Sequence, residues 1–288
     1  MDLQNNSYLC RRITKTIYNM KKILTILSFF LCLSVNAQNA EKNQLLPDSL
    51  TQEQREVILY FTEKIALNVV DSVIEEGMYM NALEMLDSIQ VNWKRVTGSE
   101  PSPQLFIKRA FVYMSMEEWR KMAETANECI NIHKITMMDR EFAIVYNMQG
   151  TAFKNIGEYT NSIRAYENSI SYYKKLGESG SVGDGLCNMA FCYDKLGKTS
   201  AATSFYEKGL SMFLEYFNIT KKQLLQKELR VNDSYKKTVK GVLGAQLYMM
   251  ALFEQNKGDK LASKEYLLMS AHCGNDAATS EYQRIFGF

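Results

Sequence analysis

A chain of 288 residues, 46% hydrophobic and 23% charged, is too apolar to stay disordered and long enough for one extended repeat array or two ordinary domains. Its formal charge of +2 comes from its first residues: positions 1–37 hold five basic side chains and one acidic, which leaves 29 basic against 31 acidic for 38–288. Nothing in that balance favours a nucleic-acid partner, which wants a concentrated positive surface.

The first element in chain order is a leader. Met20-Lys21-Lys22 precedes the apolar run from Ile23 to Ser34, and Val35-Asn36-Ala37 then offers a small residue before a cut. A short cationic start, an apolar core and a small-residue end form a secretory signal over 20–37, with residues 1–19 upstream of a true start at Met20. The run falls short of the roughly 20 residues of a comfortable span. The expected product is therefore exported, periplasmic or associated with the cell surface, with no stable membrane span after cleavage. An uncleaved anchor is the alternative for the same run. Cys32 follows Phe29-Phe30-Leu31 rather than the small residue that lipid attachment requires.

Residues 38–52 read as a linker. Thr51-Gln52-Glu53-Gln54 has the form of a capping box, and Ser102-Pro103 places a capping residue before a proline at a first helical position. Only three prolines occur, all at or before position 103, so the rest of the chain is open to helix.

From there a period takes over. Gly77, Glu117, Gly157 and Gly197 lie 40 residues apart, and their surroundings align without a gap. Four positions earlier stand Val73, Tyr113, Phe153 and Tyr193; seven earlier, Val70, Ala110, Gly150 and Ala190. Five later stand Ala82, Met122, Ser162 and Ala202; nine later, Leu86, Ala126, Tyr166 and Tyr206. Apolar residues recur three or four apart on both sides of each turn, the spacing of amphipathic helices. Small residues such as Gly150 opposite Ser162 and Ser169 let paired helices approach, and bulky ones such as Phe153, Tyr159 and Tyr166 fill the space beside them. One hairpin cannot bury its apolar face alone, so neighbours must stack. Hairpins are expected at about 53–95, 102–133, 138–175, 183–217 and 234–273. The stretch Leu176–Asp184, with its three glycines, is expected as an interhelix loop. The period slips after Leu210, with a helical insertion over 218–233 and a cap near Asn232-Asp233-Ser234; a short closing helix occupies 274–288.

These columns resemble the tetratricopeptide repeat. Gly150, Phe153, Gly157, Tyr159, Tyr166 and Ile170 match its pattern in one hairpin, and Ala190, Tyr193, Gly197, Ala202, Tyr206 and Leu210 in another. The resemblance spans about 53–273, and the last hairpin also leans toward the Sel1-type repeat. It implies an all-α, right-handed superhelical solenoid whose first helices line a concave groove for a protein or peptide segment. By matched position that groove would present Asp71, Glu75, Gln104, Phe111, Asn147, Thr151, Lys154, Asn155, Phe191, Asp194 and Lys195. The paired lysine and asparagine with which one branch of the family grips a C-terminal carboxylate are absent. Their places hold Leu67 and Asp71, Ile107 and Phe111, Asn147 and Thr151, and Cys187 and Phe191. Each repeat is 40 residues rather than the family's usual 34, so six extra residues lie in longer helices or loops.

Chemistry finds no foothold in the sequence. The two histidines, His133 and His272, sit near expected helix ends, where imidazoles meet terminal carbonyls. Cys129, Cys187, Cys192 and Cys273 match no zinc spacing and suit buried free thiols. No phosphate loop, nucleophile elbow or paired-carboxylate constellation appears, so no cofactor, metal or catalytic residue is assigned. The expectation is a non-catalytic scaffold for protein segments. A glycan-binding accessory protein is the alternative, and it would need exposed Trp or Tyr clusters in the groove.

Overall fold

A computed structural model describes residues 51–287; the leader and most of the linker lie outside them. The described residues form twelve helices and no strand. They fall into two compact units, 51–116 and 117–287.

The first unit holds α1 (Gln52–Glu75), α2 (Tyr79–Thr97) and α3 (Pro103–Ser115). Leu67, Val70, Ala82, Leu86, Leu105, Phe106 and Val112 are buried in it. Ser102 precedes α3 as expected, but its hydroxyl does not cap that helix. The Ser102 amide and Oγ both donate to Glu63 Oε1, at 2.8 and 2.7 Å, so the residue ties α1 to the start of α3. Burial raises the Glu63 pKa, and those two hydrogen bonds oppose the rise. Arg109, also buried, reaches Asp87 Oδ1 at 2.9 Å.

The second unit holds α4 (Trp119–His133), α5 (Asp139–Asn155), α6 (Tyr159–Lys175), α7 (Ser179–Lys195), α8 (Thr199–Phe217), α9 (Lys221–Leu225), α10 (Ser234–Lys257), α11 (Lys260–His272) and α12 (Asp276–Phe286). Hairpins α5–α6, α7–α8 and α10–α11 are its body. The extra residues of the period lie in the helices: α5, α6 and α7 run 17 residues each and α8 runs 19.

The periodic positions are backbone devices. Gly77, Gly157 and Gly197 have φ of 75°, 82° and 72°, the left-handed conformation that closes a helix. The residue after each glycine donates its amide five positions back, as Glu158 does to the Phe153 carbonyl (2.9 Å) and Lys198 to that of Tyr193 (2.9 Å). Glu117 takes the same conformation, φ 58°, although it bears a Cβ.

Close approach of paired helices follows from the small columns. A Cβ on Gly150 would stand 2.9 Å from the Tyr166 ring, so the fully buried tyrosine lies flat against bare backbone. Ser162 Oγ donates to the Gly150 carbonyl at 2.8 Å, and Ser169 Oγ to that of Ala143 at 2.8 Å. Ser270 Oγ repeats the second bond in the last hairpin, reaching Gly244 O at 2.6 Å across the same 26-residue separation. That match sets the register of α10–α11 where the sequence period has slipped.

The glycines of 176–184 correct the expected loop. Only Leu176, Gly177 and Glu178 turn; Ser179 already begins α7. A Cβ on Gly180 would meet Val239 at 3.0 Å, on Gly183 the Gly209 carbonyl at 2.9 Å, and on Gly185 Ile170 at 2.8 Å. These residues are small so that α7 can touch three neighbours, and packing overrides their weak helix propensity. The insertion is packed rather than pendant: Leu224 and Leu229 are buried in the cluster of Leu210, Phe213, Leu243 and Leu247. His272 Nδ1 lies 3.1 Å from the Leu224 carbonyl. All four described cysteines are buried free thiols.

A left-handed residue with a Cβ costs about 1–2 kcal/mol. Glu117→Gly is therefore expected to stabilise the protein by up to about 1 kcal/mol, and Gly157→Ala to cost about 1 kcal/mol or more. Urea unfolding of both variants checks the opposite signs.

Candidate functional site

In the first unit, Asp71 and Glu75 lie on the last turns of α1, and Gln104 and Phe111 on α3. Asp71 is ion-paired with Lys108 of α3, so two helices present one neutralised pair. Phe111 is 41% exposed, and Glu75 and Gln104 are exposed.

The second unit gathers the remaining candidates on α5 and α7, first helices of successive hairpins that contact each other; α10, the next such helix, contacts α7. Here the structure forms a polar network. Lys154 Nζ donates to Asn188 Oδ1 at 2.6 Å, and Asn188 Nδ2 donates to the Asp184 main-chain carbonyl at 3.0 Å. Gln246 Nε2, from α10, donates to Asp184 Oδ1 at 2.7 Å, and the Asn147 side chain hydrogen-bonds to the same carboxylate. Asp184, Asn188 and Gln246 were not among the residues expected from the sequence. Asp184 falls in the stretch mistaken for a loop, and Gln246 in the hairpin beyond the gapless period. The signal for Gln246 was the Ser270–Gly244 register, legible only once the helices are paired.

Electrostatics set the character of this network. Burial is the largest influence on Asp184 and raises its pKa; the Gln246 bond, the Lys154 charge and the two asparagine bonds oppose it. Burial likewise lowers the Lys154 pKa, against the pull of Asp184. Each charge is thus desolvated, and each is held through a neutral amide rather than in a direct ion pair.

The other candidates divide by their contacts. Thr151 Oγ1 pairs with the Tyr166 hydroxyl at 3.0 Å, which joins the groove to the core. Asn155 is exposed but spends its Nδ2 on the Thr151 carbonyl at 2.8 Å. Phe191 is half-buried; the Lys154 and Lys195 ammonium groups lie 5.7 and 5.2 Å from its ring centroid, within cation–π range. Asp194 sits partly exposed on the last turn of α7. The site offers amides, one desolvated ion couple and an aromatic floor, which suits holding a polar chain. Among the described residues no group of three His, Cys, Asp or Glu side chains could hold a metal ion, and no helix is long and apolar enough to cross a membrane.

Lys154→Met would remove the cation that favours ionised Asp184. Its carboxyl pKa should then rise further, as carboxyl NMR titration would read. With the folded pKa above the unfolded one, the folded state holds its proton more tightly. The variant's stability should therefore rise as pH falls toward the ordinary carboxylate range.

No family model matches the chain, and no curated protein matches it. Solved structures do. The apo form of the quorum sensor NprR from B. thuringiensis superposes with a TM-score of 0.54 at 13% identity, covering 94% of this chain and 70% of that one. Two structures of a Podosopora anserina kinesin light chain with nearly identical TPR-like repeats give TM-scores of 0.52 and 0.50, each at 16% identity and covering 77% of this chain and 96% of that one. Helix hairpins closed by left-handed turns, in the company of these neighbours, give the chain the TPR-like helical-repeat fold.

Proposed function

We propose that this protein is an exported, non-catalytic scaffold that holds an extended segment of another protein along the first helices of its hairpins. The observation that carries the reading is the network through Asn147, Lys154, Asp184, Asn188 and Gln246 on α5, α7 and α10. It gathers side-chain amides and a lysine from three helices, a mixture of donors and acceptors of the kind that a peptide main chain can satisfy. Phe191 beside it supplies apolar area for one side chain. Export rests on the 20–37 leader pattern and gives a periplasmic or surface location.

An envelope extract passed over the immobilised protein tests this. One defined protein should be retained, and Phe191→Ala combined with Lys195→Ala should weaken its affinity about tenfold or more, as expected for an interface aromatic. Because Phe191 packs against the core beside Tyr159, the exposed Lys195→Ala alone should also weaken retention while leaving the melting temperature nearly unchanged. Undiminished retention by the variant would contradict the groove, and retention of glycan alone would contradict the scaffold.

A further inference from the structure

The near-neutral balance of the chain conceals a local concentration of charge. Residues 221–240 carry seven Lys or Arg against two Asp or Glu, whereas the rest of 117–288 carries 15 against 18. Lys221 is committed to the fold, paired with Glu265 at 2.7 Å and lying over the Tyr266 ring. Lys222, Lys227, Arg230, Lys236 and Lys237 are exposed, Lys240 is half-buried, and none of the six makes an ion pair among the described residues.

Packing brings the two elements that carry these residues, α9 and α10, against the same end of α11. Leu224, at the end of α9, is held to His272 through its carbonyl. Gly244 of α10 packs on the next residue, its absent Cβ only 3.1 Å from that of Cys273. Lys240 and Lys236 stand one and two turns before Gly244 on the same side of α10, and the Lys240 charge is felt at Cys273. The acidic groups nearby are each accounted for: Glu228 is exposed, Glu265 is taken by Lys221, Asp276 opens α12, Asp233 accepts the Lys236 amide as the cap of α10, and Glu178 near it is ion-paired with Arg140.

We propose that this edge docks the protein peripherally on a membrane surface bearing anionic phosphate headgroups. All but one of the six cations are lysines, hydrated point charges that respond to a diffuse negative layer rather than to a bidentate target. Nucleic acid would favour arginine forks and stacking rings. The acidic excess on the rest of the unit orients the basic edge toward such a surface.

Co-sedimentation of the full chain with vesicles tests this. Vesicles of phosphatidylcholine and phosphatidylglycerol in equal parts should bind it far more tightly than phosphatidylcholine alone, and added salt should weaken only the excess. Lys227→Ala, Arg230→Ala, Lys236→Ala and Lys237→Ala combined should cut the excess roughly fivefold per cation, several hundredfold for the four. A control with the same charge loss at Lys134, Arg164, Lys174 and Lys260 should bind almost as the parent does. Equal loss in the control, no preference for anionic vesicles, or tighter binding to duplex DNA than to the vesicles would each overturn the proposal. Should the fourfold variant melt early, Lys236→Glu alone must still weaken the excess at least tenfold.

Discussion

The second compact unit depends on how closely its helices approach, and that approach is set by residues that lack side-chain bulk. Tyr166 can lie against α5 because Gly150 has no Cβ, and α7 can touch α6, α8 and α10 because positions 180, 183 and 185 are glycine. Serine hydroxyls at 162, 169 and 270 then donate across the narrowed gaps to main-chain carbonyls. Each such bond replaces water that the close contact has expelled. Hairpin stacking is thus fixed by backbone proximity as much as by apolar area.

That geometry also makes the candidate site. When α5, α7 and α10 stand side by side, side chains from three helices reach one another, and Asp184 collects amides from α5 and α10. A carboxylate so placed loses hydration and must be repaid in hydrogen bonds. The network therefore fixes the relative position of the three helices. The insertion serves a separate purpose: its leucines join the core, and its cations remain outside.

Much of this was legible in the sequence, for a physical reason. Left-handed turns need glycine, or a residue that tolerates strain as Glu117 does, and they recur at a fixed distance. Small and bulky columns are likewise one-dimensional signals. What was not legible depended on pairing. The glycines of 180–185 look like a loop until Gly209 and Ile170 are seen against them, because glycine serves turns and close contacts alike. Asp184 was hidden by that error and Gln246 by the slipped register. Of the groove candidates, Asn147 and Lys154 belong to the network and Phe191 lies beneath Lys154, whereas Asn155 binds its own helix.

The most direct measurement is the unfolding free energy of Gly209→Ala. Helix propensity alone favours alanine by about 1 kcal/mol. Yet the new Cβ would collide with Cys187 Sγ and lie 3.0 Å from the Gly183 carbonyl, and overpacking of that kind typically costs about 1–3 kcal/mol. If helix approach governs the fold, the variant loses stability despite its better propensity. A variant more stable than its parent would show that the helices need not come so close, and would contradict the account.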